Sequence, residues 1–374
     1  VVAADLFADA DLARACPVTR IENYPEGLAD WLADTPCDGW LYTGALENHP
    51  ALVDRMAKLR PLLGNRGDVL RQVRDPLLLQ KVLGAMRVNF PETKPCDGTH
   101  PDAGEWLHKT GQGGNGSGVG RAGPQGQAPR LATGYWQREI KGMPGSAQYV
   151  AGFGSCSLVG VTRQLVGEAW TGAGEFQYCG TLASGNPSPT FGAYPRTPPQ
   201  SIGEGDCGWA LTETLTAIGL LLAIPFGMSG LFGVDFIFDG EQVWIIEVNP
   251  RITAAVEVVE RVMGHNLLAK HLNAFYIPVE QREAPEFPAA GKVVLYAKQP
   301  VVVSQRMSEQ LLAAADNLER PRLSDIPTPG TRIACGEPIL TVLAEGHDLT
   351  TVEANLRQRA ADLEIQLYRN SGGS

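Results

Sequence analysis

Gly233-Val-Asp-Phe-Ile-Phe-Asp-Gly-Glu-Gln-Val-Trp-Ile-Ile-Glu-Val-Asn-Pro-Arg251 holds two β-branched and aromatic runs, Val234 to Phe238 and Val243 to Val248, around Asp239-Gly240. An Asp-Gly pair between such runs is a strong short-range signal for a β-hairpin. Asp235, Glu247 and Asn249 interrupt runs that otherwise read as buried strands. A carboxylate in such a strand must be paired, protonated or bound to a cation. Glu247 and Asn249 are two apart and share one face. Together with Asp235 they offer two carboxylates and an amide oxygen, a hard-cation set of the kind that holds magnesium along with substrate phosphates. Solvated ends of an edge hairpin are the plainer reading of the same residues. Register separates the two. A two-residue turn at Asp239-Gly240 puts Asp235 opposite Trp244 and on the other face from Glu247. A shared site therefore requires an odd loop or a bulge, expected near residues 239–242.

An acid, a hydrophobic strand, a turn, a second strand and then Glu247-Val248-Asn249-Pro250-Arg251 resemble the metal-binding hairpin of the ATP-grasp superfamily. The resemblance implies that Asp235, Glu247 and Asn249 hold magnesium on ATP and that Arg251 stabilises the phosphoryl group in transfer. Upstream motifs follow the same family order. Arg74-Asp75-Pro76 opens a helix, and the resemblance makes Arg74, or failing it Lys81, a phosphate contact; either can equally be a surface cation. Trp106 to Thr110 reads as a strand ending in Lys109, followed by a Gly-rich run that includes Gly113, Gly114 and Gly116. Such a loop lets backbone N–H groups approach phosphate, and a Lys at its mouth neutralises charge; a flexible linker is the alternative. It is not a Walker loop, whose Lys follows the glycines. Tyr135 to Gly142 resembles the family's linker between lobes. There Gln137 takes a characteristic position, and the backbone of Arg138, Glu139 and Ile140 is expected to read the adenine edge. Arg163 stands in a polar position on a later strand, as an acyl- or phosphate-site residue or an ordinary ion-pair partner.

At 374 residues the chain is long enough for two or three domains. A net charge of -10 argues against a nucleic-acid partner. Seven cysteines without a Cys-x-x-Cys pair indicate reduced thiols and an expected cytoplasmic location. Leu215 to Val234 is uncharged and long enough to span a bilayer. Pro225 and four glycines divide it, so it reads as helix, loop and strand rather than a membrane segment.

The expected architecture is α/β with α+β lobes: an ATP-grasp fold preceded by a Rossmann-like domain and followed by a small β-rich domain. Residues 1–69 form the first domain, with strands at Val1 to Asp5, 18–21 and Trp40 to Tyr42, and helices at 26–34 and 48–60. The chain starts without Met or a Gly-rich turn, so this domain is expected to be truncated at its start. Residues 70–136 are the small lobe and 137–277 the large lobe, closed by one helix from Thr253 to Phe275. Residues 289–370 are the accessory domain. It contains a strand-turn-strand over 326–344, faintly like half of a biotinyl domain but without a Met-Lys-Met site, and a closing helix. Within the superfamily the chain looks similar to the uncharacterised and amino-acid-ligating members, such as tyramine-glutamate ligases. The resemblance implies an ADP-forming ligase that uses ATP and Mg2+ to join a small-molecule carboxylate to an amine, with a homodimer allowed. A carboxylase, a small-molecule kinase and a non-catalytic nucleotide-binding module remain the alternatives.

Overall fold

The computed structural model describes residues 1–97, 101, 105–111, 114–121, 134–185, 206–280, 286–317 and 320–369, with only the backbone of 206–210 and 369. Two compact units emerge. One comprises Cys37–Gln164 with Ala183–Glu286, and the other Val1–Pro36, Leu165–Leu182 and Phe287–Ser374.

The first unit contains two antiparallel sheets. The smaller runs in the order Thr93–Pro95, Tyr135–Arg138, Trp106–Lys109, Val119–Arg121. In the larger, Val243–Asn249, Gly230–Phe238, Met143–Gly152 and Ser155–Val166 follow one another. One face of this second sheet is closed by helices. Leu215, Ile218 and Leu222 of the helix Asp206–Phe226 pack with Tyr149, Phe232 and Phe236, as do Val69, Val73, Leu79 and Leu83 of the helices Gly67–Val73 and Pro76–Ala85. Tyr149 stacks on Phe232 at 4.9 Å, and its hydroxyl donates to Leu215 O at 2.8 Å. Such tight layering requires Gly219, because a Cβ there would lie 2.4 Å from the Tyr149 ring. The helix Pro76–Ala85 starts as its sequence dictates: Asp75 caps it by accepting from Leu77 N and Leu78 N, and Pro76 fills the first turn.

In the second unit Ala3–Asp5 pairs in parallel with Val18–Arg20 around the helix Ala10–Ala15. Tyr178–Ser184, Ala289–Tyr296, Pro338–Gly346 and Leu323–Ser324 form consecutive strands. The helix Leu349–Arg369 buries Val352, Leu356, Ala360, Leu363 and Leu367 in their core.

Three local expectations change. Trp40 to Tyr42 forms no strand: Trp40 makes only an isolated bridge to Leu62, and Thr43 one to Ile252. The single helix over 253–275 is two, Val256–Met263 and Leu267–Asn273, because Gly264 turns into the left-handed region and Asn266 caps a new start. No hairpin forms over 326–344. Arg332–Ile333 pairs with Val301–Val302, while Pro338–Gly346 pairs with Ala289–Tyr296 and Leu323–Ser324. A turn signal names a reversal but not the strand's partner. Among the described residues no helix is long and apolar enough to cross a membrane.

Candidate active site

The hairpin register decides whether the carboxylates can act together. Phe238 pairs with Val243, which leaves a four-residue loop over 239–242. An even loop alone would set Asp235 opposite Ile246 and put Glu247 on the other face. Instead the register shifts between Asp235 and Phe236, so Asp235 faces Glu247 directly. The bulge is therefore present, but at Ile246 rather than at the turn where the sequence placed it. Asn249, two residues on, shares that face, and its amide N donates to Asp235 Oδ2 at 3.0 Å.

The surrounding groups are electrostatically matched. Burial and the nearby Glu247 charge push Asp235 up to about 6, opposed by hydrogen bonds from Ser146 and Asn249. Gln164 donates to its Oδ1 at 2.9 Å. Burial acts on Glu247 too, but Arg74, with Lys109 and Arg251 behind it, holds that carboxyl below its ordinary value. Glu247 nevertheless keeps 41% of its side chain exposed, so a ligand can reach it. Arg74, at the junction of the two helices 67–73 and 76–85, is bonded to Glu247 and to Asn48 Oδ1. Burial pulls Lys109 down to about 8 against the attraction of Glu247 and Asp235. Burial, then the Glu247 charge, raises the Tyr135 hydroxyl well above its ordinary value. Arg251 donates from Nε to Glu47 Oε1 at 2.7 Å and from Nη1 to Ile252 O at 3.2 Å.

The structure thus gathers Arg74, Lys109, Asp235, Glu247, Asn249 and Arg251. Lys81 is exposed on the helix Pro76–Ala85. Arg163 lies on the strand Ser155–Val166 opposite Gly145. Gln137 is buried inside a strand, where it accepts from Lys109 Nζ at 2.6 Å and donates to Thr93 Oγ1. It holds the lysine rather than facing a ligand from a linker. Two backbone donors of the expected adenine reader are already engaged: Arg138 N with Glu92 O and Glu139 N with Glu105 O. Ile140 follows them, beyond the strand Tyr135–Arg138. The side chains of Arg138 and Glu139 pair with Glu105 and Arg121. Gly114 and Gly116 belong to a turn joining Trp106–Lys109 to Val119–Arg121, closed by Thr110 N to Gly118 O at 3.1 Å. Asn115 and Gly116 are left-handed there. Gly113 lies outside the described residues.

Sequence reasoning missed Glu47, Asn48 and Gln164. Glu47 and Asn48 sit on the 3-10 turn Ala45–Asn48 and bind the two site arginines across 204 and 26 residues of chain. No local pattern signals a partner so remote.

The residues fit a magnesium ion. Two carboxylates face one another across the bulge, with the like-charge repulsion that a cation relieves. No three Asp, Glu, His or Cys side chains gather as metal ligands among the described residues. Full coordination would thus draw on the Asn249 amide and on ligand oxygens.

Comparison with known proteins bears on the fold. Residues 213–255 match the ATP-grasp domain. A curated relative, an uncharacterised protein of Methanocaldococcus jannaschii, is 27% identical over 139 residues, 37% of this chain and 32% of that relative's length. The match thus spans about a third of that protein. Carboxyaminoimidazole ribonucleotide synthase of Aspergillus clavatus, solved with ATP, aligns over 98% of both chains with TM-score 0.66 and 12% identity. L-amino acid ligase of Bacillus licheniformis aligns over 96% of both, with TM-score 0.63 and 13% identity. The chain has the ATP-grasp fold.

Proposed function

We propose that this chain is an ATP-dependent ligase that joins a carboxylate to an amine through an acyl phosphate, releasing ADP and phosphate. The observation that carries this reading is the facing pair Asp235 and Glu247 with Asn249 beside them, surrounded by Arg74, Lys109 and Arg251. Three fixed cations beside a hard-cation site suit a polyphosphate. Magnesium, when bound, supplies charge neutralisation at the phosphates.

The chain's own residues supply placement, which is most of what phosphoryl transfer requires. Arg74 has Nε buried without a partner among the described residues, a donor ready for an anionic oxygen. Lys109, fixed by Gln137, offers a second donor. Arg251, fixed by Glu47, presents its remaining guanidinium N–H groups to charge developing on the transferred phosphoryl. A substrate carboxylate attacks the γ-phosphorus and ADP leaves. The amine then attacks the acyl carbon, phosphate leaves with the C–O bonding pair, and the amine nitrogen loses a proton.

The test is ADP release by the purified protein against carboxylate and amine libraries, with bicarbonate as a separate arm. Hydroxylamine should intercept the activated acid as a hydroxamate, and Arg251→Lys should slow turnover more than it weakens ATP binding. AMP and pyrophosphate, phosphate left on a hydroxyl, bicarbonate-dependent turnover, or ATP binding without turnover in any pool would each overturn the ligase reading.

A further inference from the structure

Two atoms of this cluster are buried with no hydrogen-bond partner among the described residues, Arg74 Nε and Glu47 Oε2. A buried polar atom left unpaired is costly, the more so when charged, and calls for a water, an ion or a ligand. The arginine nitrogen is a donor, which the phosphates of the proposed nucleotide satisfy. The carboxylate oxygen is an acceptor, which phosphate repels.

Neighbouring donors do not take it. An arginine beside a carboxylate commonly pairs through two parallel bonds. Here Arg251 gives Nε to Glu47 Oε1 and turns Nη1 to Ile252 O. The Tyr42 hydroxyl, close enough for its titration to feel Glu47, donates instead to Asn65 O at 2.8 Å. Arg74 Nη2 goes to Asn48 Oδ1, although the Glu47 charge acts on that guanidinium as well. A metal ion is a poor occupant, because Glu47 Oε2 is the only buried unpaired acceptor of this cluster among the described residues. What remains is a water or an N–H donor that arrives with a ligand. Glu47 is only 4% exposed, so such a contact would be well shielded from water and strong.

We propose that Glu47 is an ammonium subsite: Oε1 stays on Arg251 while Oε2 accepts an N–H of a primary ammonium carried by one of the substrates. This rests on the ligase reading and deepens it, since it makes one of the two substrates an ammonium-bearing molecule held beside Arg251.

The experiment compares the full chain with Glu47→Gln, whose amide keeps an acceptor oxygen for Arg251 and replaces Oε2 with a donor. Saturation-transfer NMR is run with methylammonium and with tetramethylammonium, a cation without N–H. Methylammonium should bind the native chain at least tenfold more tightly than the variant, and tetramethylammonium should bind neither. The Arg251 Nε–H resonance should persist in the variant, showing that the arginine is still held. Once a substrate pair is known, Glu47→Gln should raise the KM of the ammonium-bearing partner at least tenfold and leave the KM of ATP within twofold. Equal methylammonium binding by both proteins, equal binding of the two cations, or a KM rise confined to ATP overturns the subsite. Failure of the library screen would sink the ligase reading alone, since the methylammonium comparison still decides Glu47.

Discussion

Asn65 is the residue whose removal should most directly loosen the strand end that carries Arg251. It is 3% exposed, and its amide N donates to Ser229 O at 3.2 Å and to Pro250 O at 2.9 Å, while its amide O accepts from Ser229 N at 2.9 Å. Asn65→Ala deletes all three bonds. Ser229 is half-buried and its two groups can turn to water, but the Pro250 carbonyl is buried and stays unpaired. At about 1 kcal/mol for each solvated loss and about 1–3 kcal/mol for the buried one, the local cost is about 3–5 kcal/mol. Because the chain has two compact units, a single unfolding free energy is a poor measure, and hydrogen exchange is the suitable assay. A loss of about 3 kcal/mol or more means faster exchange by about a hundredfold or more at the Ser229 amide and at the amides of Arg251 and Ile252. Arg251 follows Pro250 directly, so turnover should fall while Lys109 and the small sheet keep their protection. Exchange within threefold of the native chain at those amides would show that Asn65 does not anchor Arg251.

Glu247→Gln should leave the fold intact and lower ADP release at least a hundredfold, measured with a coupled assay, because it keeps size but removes the charge that faces Asp235 and Arg74. Lys109→Ala should weaken ATP binding at least tenfold by calorimetry, and an unchanged affinity would remove Lys109 from the phosphate site. His271 is buried, accepts from Leu231 N through Nδ1 at 2.8 Å, and sits 3.0 Å from Leu63 O through Nε2, which requires the neutral ring. Burial lowers its pKa, so the unfolded state binds more protons than the folded one on acidification. Its contribution is complete above the unfolded value of about 6.5 and is lost as pH falls below that through the folded value. Thermal unfolding at pH 7.5 and 5.5 should show a loss for the native chain that is smaller in His271→Leu.

The hairpin, its Asp-Gly turn and the acids within it were legible in residues 233–251, because alternation and turn chemistry are local properties. So were the helix start at Arg74-Asp75-Pro76 and the strand ending in Lys109. Local spacing also required a bulge for Asp235 and Glu247 to share a face, since side-chain period is a matter of counting. Where the extra residue sits was decided by pairing: Gly230–Phe238 is held in register by Met143–Gly152 on its other edge, and Ile246 takes up the mismatch. Tertiary structure alone decided that Gln137 clamps Lys109, that Gln164 supports Asp235, and that Glu47 and Asn48 hold Arg251 and Arg74. Each is a contact between segments far apart in sequence. Propensity and periodicity act over a few neighbouring residues, whereas the partner of a buried charge is chosen by whichever distant segment packing brings beside it.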